Sequence, residues 1–391
     1  MYLCSTIHTI MLHKIVIALD SFKGCMTSLE AGKSIARGIC KEFPGCEVKV
    51  MPVADGGEGL LDALVDITGG QILKIQVHGP LMETRQACYG LSADGSTAFV
   101  EMAQASGLPL VPKESRNPLL TTSYGTGELI ADALRRGCRQ LFVGLGGSAT
   151  NDAGIGLLQA LGMHFLDKEG LEVKPGGQAL AQVEYIDTSR LMPEAASTHF
   201  IAACDVHNPL YGPEGAAHVF APQKGATPEM VRLLDEGLRH FADVVHAHTG
   251  LDISTLQGAG AAGGIGGSLS AFLHADLRPG IELVLESGDF PALIDGADLI
   301  ITGEGRADLQ TLMGKVPAGI LTMARRQGIP VILLAGQVKD VPELLQAGFQ
   351  DVRCINPPDI PLPIAIRPDF AIRQVRQAAL EAIRDFLKGH G

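Results

Sequence analysis

The stretch that most constrains this chain is Val143–Gly154, VGLGGSATNDAG. It follows the apolar run Leu141–Val143 and crowds Gly144, Gly146, Gly147, Ser148, Thr150, Asn151 and Asp152 into nine positions. Beyond it, apolar residues at Ile155, Leu157, Leu158 and Leu161 have helical spacing. The pattern predicts a strand, a glycine-rich turn and a helix N-terminus. Glycines let backbone come close to a ligand, and the open N–H groups of a first helical turn favour an anion. Gly146, Gly147, Ser148, Thr150 and Asn151 are therefore candidates for binding phosphate, and the Asp152 carboxylate for Mg²⁺. The same residues also suit a tight turn with a hydroxyl N-cap, so both readings stand at this point.

The rest of the chain supplies the frame. Lys14–Leu19 is an apolar run ending in Asp20, as expected of a buried parallel strand. A helical pattern over 28–43, a second strand over 48–53 ending in ADGGEG, and a helix over 60–67 follow. Meander-like strands at 71–78, 86–91 and 97–102 then change the rhythm. From Asp298 strands and helices alternate again, up to a Pro-rich loop, 356–368, and a last helix over 371–387. This predicts an α/β protein with a doubly wound, Rossmann-like parallel sheet built from both chain ends. The expected divisions are 13–70 with 285–391 for that domain, 71–284 for an inserted mixed α/β domain, and 1–12 for an N-terminal extension.

Bulk properties narrow the function. A length of 391 residues implies more than one domain. Forty-eight glycines, clustered in loops, point to backbone approaching a ligand. The net charge of −12 argues against nucleic acid as a partner, and no apolar run is long enough for a membrane span. The eight scattered cysteines have no zinc spacing and read as reduced thiols of a cytoplasmic protein.

Several strands end in charge: Asp20, Asp55, Asp205, and Glu304 with Arg306 and Asp308. Ligands of open α/β sheets bind at such ends. Convergent carboxylates there suit Mg²⁺ and proton abstraction, although each one alone could merely cap a helix. Lys23, Lys224 and Lys315 sit beside glycines, as cations that neutralise phosphate do. Gly258-x-Gly260-x-x-Gly263 matches a dinucleotide fingerprint, but the preceding LDISTLQ is a poor strand.

Taken together, the motifs DSFKG (20–24), PVADGGEG (52–59), TSYGTGEL (122–129), GLGGSATNDAG (144–154), CDVHNPLYGPEGAAHVFAPQKGA (204–226), GAGAAGGIGG (258–267) and TGEGRADLQTLMGKVP (302–317) resemble the type-1 glycerate kinase family, in the family's order. The departures are Leu19, where the family has proline, the N-terminal twelve residues, and the segment after Gly336. The resemblance implies ATP-dependent phosphorylation of D-glycerate to 2-phosphoglycerate, with Mg²⁺. The partners are then glycerate and ATP, with self-association into a homo-oligomer left open. Placed on that chemistry, Lys23, Asp55, Asp205 and Arg306 are the expected catalytic residues, with Asp205 or Asp55 as base. Gly146, Gly147, Ser148, Thr150, Asn151, Gly260, Gly263 and Gly264 would hold ATP phosphates. Ser21, Lys224, Glu304 and Lys315 would contact substrate, and Asp152, Asp205 and Asp308 the metal. The rivals are a nicotinamide-dependent hydroxyacid dehydrogenase using Gly258–Gly263 and a non-catalytic sugar-acid binding protein.

Overall fold

A computed structural model describes residues 12–55, 57 and 59–389. Its strands are β1 (Lys14–Leu19), β2 (Glu47–Val50), β3 (Gln71–His78), β4 (Thr84–Leu91), β5 (Thr97–Glu101), β6 (Gln140–Gly144), β7 (His164–Leu166), β8 (Tyr185–Asp187), β9 (His199–Ala203), β10 (Asp276–Arg278), β11 (Leu299–Ala307), β12 (Val331–Val338) and β13 (Asp351–Cys354). The chain divides into two units, one taking the described residues through Asp55 and from Ile281 onward, the other those within Gly56–Gly280. Most of residues 1–12, together with Gly56 and Glu58 of the ADGGEG motif, fall outside the described residues.

The first unit is a five-stranded, wholly parallel sheet in the order β13-β12-β11-β1-β2. β1 is apolar on both faces because both are covered: Ile15 through Leu19 are at most 1% exposed. Ile15, Ile17 and Leu19 pack with Ile35 and Ile39 of the Ser28–Glu42 helix and Val375 and Ile383 of the Pro368–Gly389 helix. The helix Val316–Arg326 packs on β11, β1 and β12. Thr27 starts the first helix with a capping box: its Oγ1 accepts from Glu30 N–H and the Glu30 carboxylate accepts from Thr27 N–H, worth about 1 kcal/mol. The chain winds outward from β1 to β2 and in the opposite direction from β11 to β13. The order therefore reverses between β1 and β11, where crevices of such sheets form at the carboxyl ends.

The second unit is a six-stranded mixed sheet, β10-β9-β6-β5-β4-β3, with a two-stranded β7-β8 ladder. β3, β4 and β5 are antiparallel neighbours; β5, β6, β9 and β10 are parallel. The helix Leu60–Ile67, which its place in the sequence groups with the first domain, belongs here. Leu61 and Val65 fill the space above Gly90 of β4, and Leu61 N–H donates to the Glu101 carboxylate at 2.8 Å. At the other boundary, Ile281 packs against Gly319 of the first unit, four residues ahead of the expected border.

Candidate active site

In the first unit the charged residues collect where β1 and β11 end. Asp20 follows β1 directly, and its carboxylate is 5% exposed, accepting from Ser21 N–H at 2.7 Å. Burial first, and then the negative charges of Asp55 and Glu304, push it up to about 7, against the opposing pull of Ser21 N–H and the Lys23 ammonium. Lys23 Nζ lies 3.9 Å from the Asp55 carboxylate. On β11, the buried Glu304 carboxylate accepts from Thr311 Oγ1 at 2.6 Å and faces Lys315 Nζ at 3.6 Å. Burial raises this carboxyl, and Thr311 and Lys315 partly restore it. Arg306 Nε pairs with Asp308 at 2.9 Å, and Asp308 caps the turn Leu309–Leu312 by accepting from Gln310 N–H. Ser21 Oγ and Thr302 Oγ1 are buried without a partner. Of the first-unit residues expected from sequence, Ser21, Lys23, Asp55, Glu304, Arg306, Asp308 and Lys315 thus belong to loops and strand ends around β1 and β11. Asp20 acquires its significance only in the structure. The sequence marks it as a strand-end acid like the others, and nothing local tells that its carboxyl is pushed up to about 7.

In the second unit, β6 runs into the glycine-rich turn and then a helix of six residues, Ile155–Ala160. The expectation of a phosphate on that helix N-terminus meets a correction. The chain's own Asp152, fully buried, accepts from Gly154 N–H, Ser123 N–H and Ser123 Oγ at 3.1, 2.8 and 2.9 Å. The chain's own carboxylate thus meets N–H groups at this end. The buried cation beside this turn is Lys224. Its ammonium is 2% exposed and donates to Ser148 Oγ at 2.8 Å and the Thr150 carbonyl at 2.6 Å. Burial lowers it to about 7, with Asp152 pulling it back up. Gly147 is exposed beside this pair with φ +74°. Thr150 Oγ1 and both amide atoms of Asn151 are buried without partners.

The second glycine stretch turns out to be a support. A Cβ on Gly263 would lie 2.3 Å from the Thr150 carbonyl, one on Gly264 3.0 Å from Ala153, and one on Gly260 2.3 Å from the Pro209 carbonyl. Ala153 N–H donates to the Gly263 carbonyl at 3.0 Å. Gly263 and Gly264 let one backbone lie against the turn 150–153, and Gly260 lets it lie against Pro209. The element directly before Gly258 is the helix Pro228–Thr249 and not a strand, so the fingerprint lacks the context a dinucleotide needs.

Asp205, at the end of β9, is exposed and accepts from Gly280 N–H at 3.0 Å. Among the described residues no three His, Cys, Asp or Glu side chains converge as a metal cage. Seven cysteines are described, all unpaired, and no described helix is long and apolar enough to cross a membrane.

Comparison with known proteins shows the family. The model of the glycerate kinase family matches residues 15–386. Glycerate kinase of Bacillus subtilis (strain 168) is 49% identical over 350 residues, covering 89% of this chain and 92% of the relative. Glycerate 2-kinase of Escherichia coli (strain K12) is 46% identical over 327 residues, 84% of this chain and 86% of the relative. A crystal structure from Salmonella typhimurium LT2, provisionally named glycerate kinase 2, superposes with a TM-score of 0.88 at 44% identity. It covers 97% of this chain and 99% of that one. The dehydrogenase and the non-catalytic binder gain no support from any of these.

Proposed function

The chain belongs to the glycerate kinase family and is an ATP-dependent kinase of glycerate; we propose that it phosphorylates the C2 hydroxyl of D-glycerate, giving 2-phosphoglycerate, and that the residues above divide the work as follows. The C2 position rests on the similarity to the glycerate 2-kinase of Escherichia coli. Asp20, rather than Asp55 or Asp205, accepts the hydroxyl proton as the oxygen attacks the γ-phosphorus and ADP leaves. The observation that carries this role is its buried carboxylate at the reversal point of the sheet, poised near 7, where a base combines adequate ionisation with adequate strength. Asp55 holds Lys23, whose ammonium neutralises the phosphoryl group in flight. Arg306, aligned by Asp308, takes the glycerate carboxylate. The unpartnered Ser21 hydroxyl contacts glycerate, and Glu304 orients Lys315 toward it.

In the second unit Lys224 and Ser148, with the open backbone at Gly146 and Gly147, bind donor phosphate. Magnesium, when bound, neutralises phosphate charge. Nucleotide oxygens and water would supply most of its ligands. Of the three acids expected to ligate it, Asp152 is buried in hydrogen bonds and Asp308 is engaged as a cap, while Asp205 keeps an exposed carboxylate. We further infer a cytoplasmic enzyme acting without nucleic acid or membrane. A coupled ADP-release assay with D- and L-glycerate, with the product identified by NMR, tests the reading. Release without an acceptor requirement, or phosphate on C3, would overturn it.

A further inference from the structure

One pocket of the first unit has, apart from Lys23 at its edge, no residue in the roles above. It has a volume of about 500 Å³ and lies where the loops after β1 and β13 and the carboxyl-end residues of β11 and β12 meet the Pro-rich segment 356–368. Phe22, Ile355, Ile360, Leu362 and Ala365 supply apolar wall, and Lys23 lines it as well. Leu362 is 70% exposed and Ile366 43%, an apolar rim left in the open. Asn356 adds a specific polar demand. Its Nδ2 donates to the Gly336 carbonyl at 2.7 Å, which fixes the amide orientation and leaves Oδ1 as an acceptor. That Oδ1 is buried and has no partner. The pocket therefore calls for a ligand with extended apolar faces, one hydrogen-bond donor and an anionic end for Lys23.

Glycerate, a three-carbon acid polar at every carbon, is too small and too hydrophilic to fill such walls. The only large apolar surface on either substrate belongs to the nucleoside of ATP, and the volume is in the range of small-molecule sites. We propose that this pocket receives the adenine nucleoside of ATP, with Asn356 Oδ1 accepting from the exocyclic amine of the base and the Pro-rich segment walling its face. This rests on ATP being the phosphoryl donor. It gives the segment 356–368 a function, and it makes Asn356 a specificity residue. Guanine presents a carbonyl at the same position, so two acceptors would face each other in a buried setting, which binding sites reject strongly.

The test compares wild type, Asn356→Ala and Leu362→Asp. For each, kcat/KM is measured with ATP and with GTP, as are KM for ATP and for glycerate, and adenosine binding is followed by saturation-transfer NMR. The expected results are a wild-type preference for ATP over GTP of at least tenfold and its collapse toward unity in Asn356→Ala. Leu362→Asp, at an exposed position that folding tolerates, should raise KM for ATP at least tenfold with KM for glycerate within twofold. Adenosine signals should be present in wild type and lost in Leu362→Asp. Equal use of ATP and GTP by wild type, or an unchanged KM for ATP in Leu362→Asp, overturns the pocket assignment while kinase activity persists. Absence of ADP release by wild type is a different result, and it removes the donor itself.

Discussion

Replacing Asp20 with asparagine should make the protein more stable and almost inactive, with both effects set by one burial. The carboxyl sits about three pH units above its ordinary 3.8. A folded-state value above the unfolded one means that ionisation is penalised in the native fold. Below about pH 4 both states are protonated and no penalty exists. As pH rises from there to 7 the unfolded chain ionises first, and stability falls through that window. Above 7 the penalty is complete, and at ~1.4 kcal/mol per unit it amounts to about 4 kcal/mol. Asparagine keeps the shape and a carbonyl to accept from Ser21 N–H, and carries no charge at any pH. The variant should therefore gain up to a few kcal/mol at pH 8, and about 2–3 kcal/mol less than that at pH 5, because most of the penalty has lapsed there.

The catalytic effect has the opposite sign. Loss of the base should lower kcat by roughly 10²–10⁴, and wild-type kcat/KM should rise with pH through about 7 before levelling. Urea denaturation of both proteins at pH 5 and pH 8, beside their pH–rate profiles, reads both effects on the same samples. A variant that is equally stable at pH 8, or that keeps kcat within tenfold, refutes the reasoning. So does an acid limb that stays near 7 in the variant. Because the substitution is expected to stabilise, lost activity could not be ascribed to unfolding.

Three further outcomes follow from the same geometry. Lys23→Met, which keeps the stem and removes the charge, should lower kcat and kcat/KM together by about 2–4 kcal/mol of transition-state stabilisation; steady-state kinetics showing a rise in KM alone would move Lys23 to ground-state carboxylate binding. Excess chelator should abolish turnover and added Mg²⁺ or Mn²⁺ restore it, and full ADP release in chelator would end the metal requirement. Gly263→Ala should destabilise well beyond the ~1 kcal/mol expected for Gly147→Ala, because its Cβ meets the Thr150 carbonyl at 2.3 Å while that of Gly147 meets only Ala103 at 3.4 Å; thermal melts of the two variants decide it, and equal shifts would mean that the Gly263 stretch is no structural support.

The frame of both sheets was legible because it obeys rules that act within a few residues. KIVIAL at 14–19 and the run 331–336 are apolar on both faces, and only a buried parallel strand uses such a run. The helix after Thr27 advertises its start through Glu30. Motif order carried the family. What local pattern could not resolve was which of two meanings a glycine or a carboxylate had. GLGGSATNDAG and GAGAAGGIGG look alike as strings, yet Gly147 is open to solvent while Gly263 is pressed against Thr150, a contact 113 positions away. Asp152 and Asp20 are both acids beside glycine-rich or strand-end turns. One accepts from Ser123, 29 positions earlier, and the other is left facing Asp55 and Glu304. Burial raises both carboxyls; several N–H and O–H groups oppose it at Asp152, while like charges add to it at Asp20. Both depend on segments brought from elsewhere in the chain. Motifs could be read as belonging to one family from sequence, but the partners of each side chain within a motif had to wait for tertiary structure.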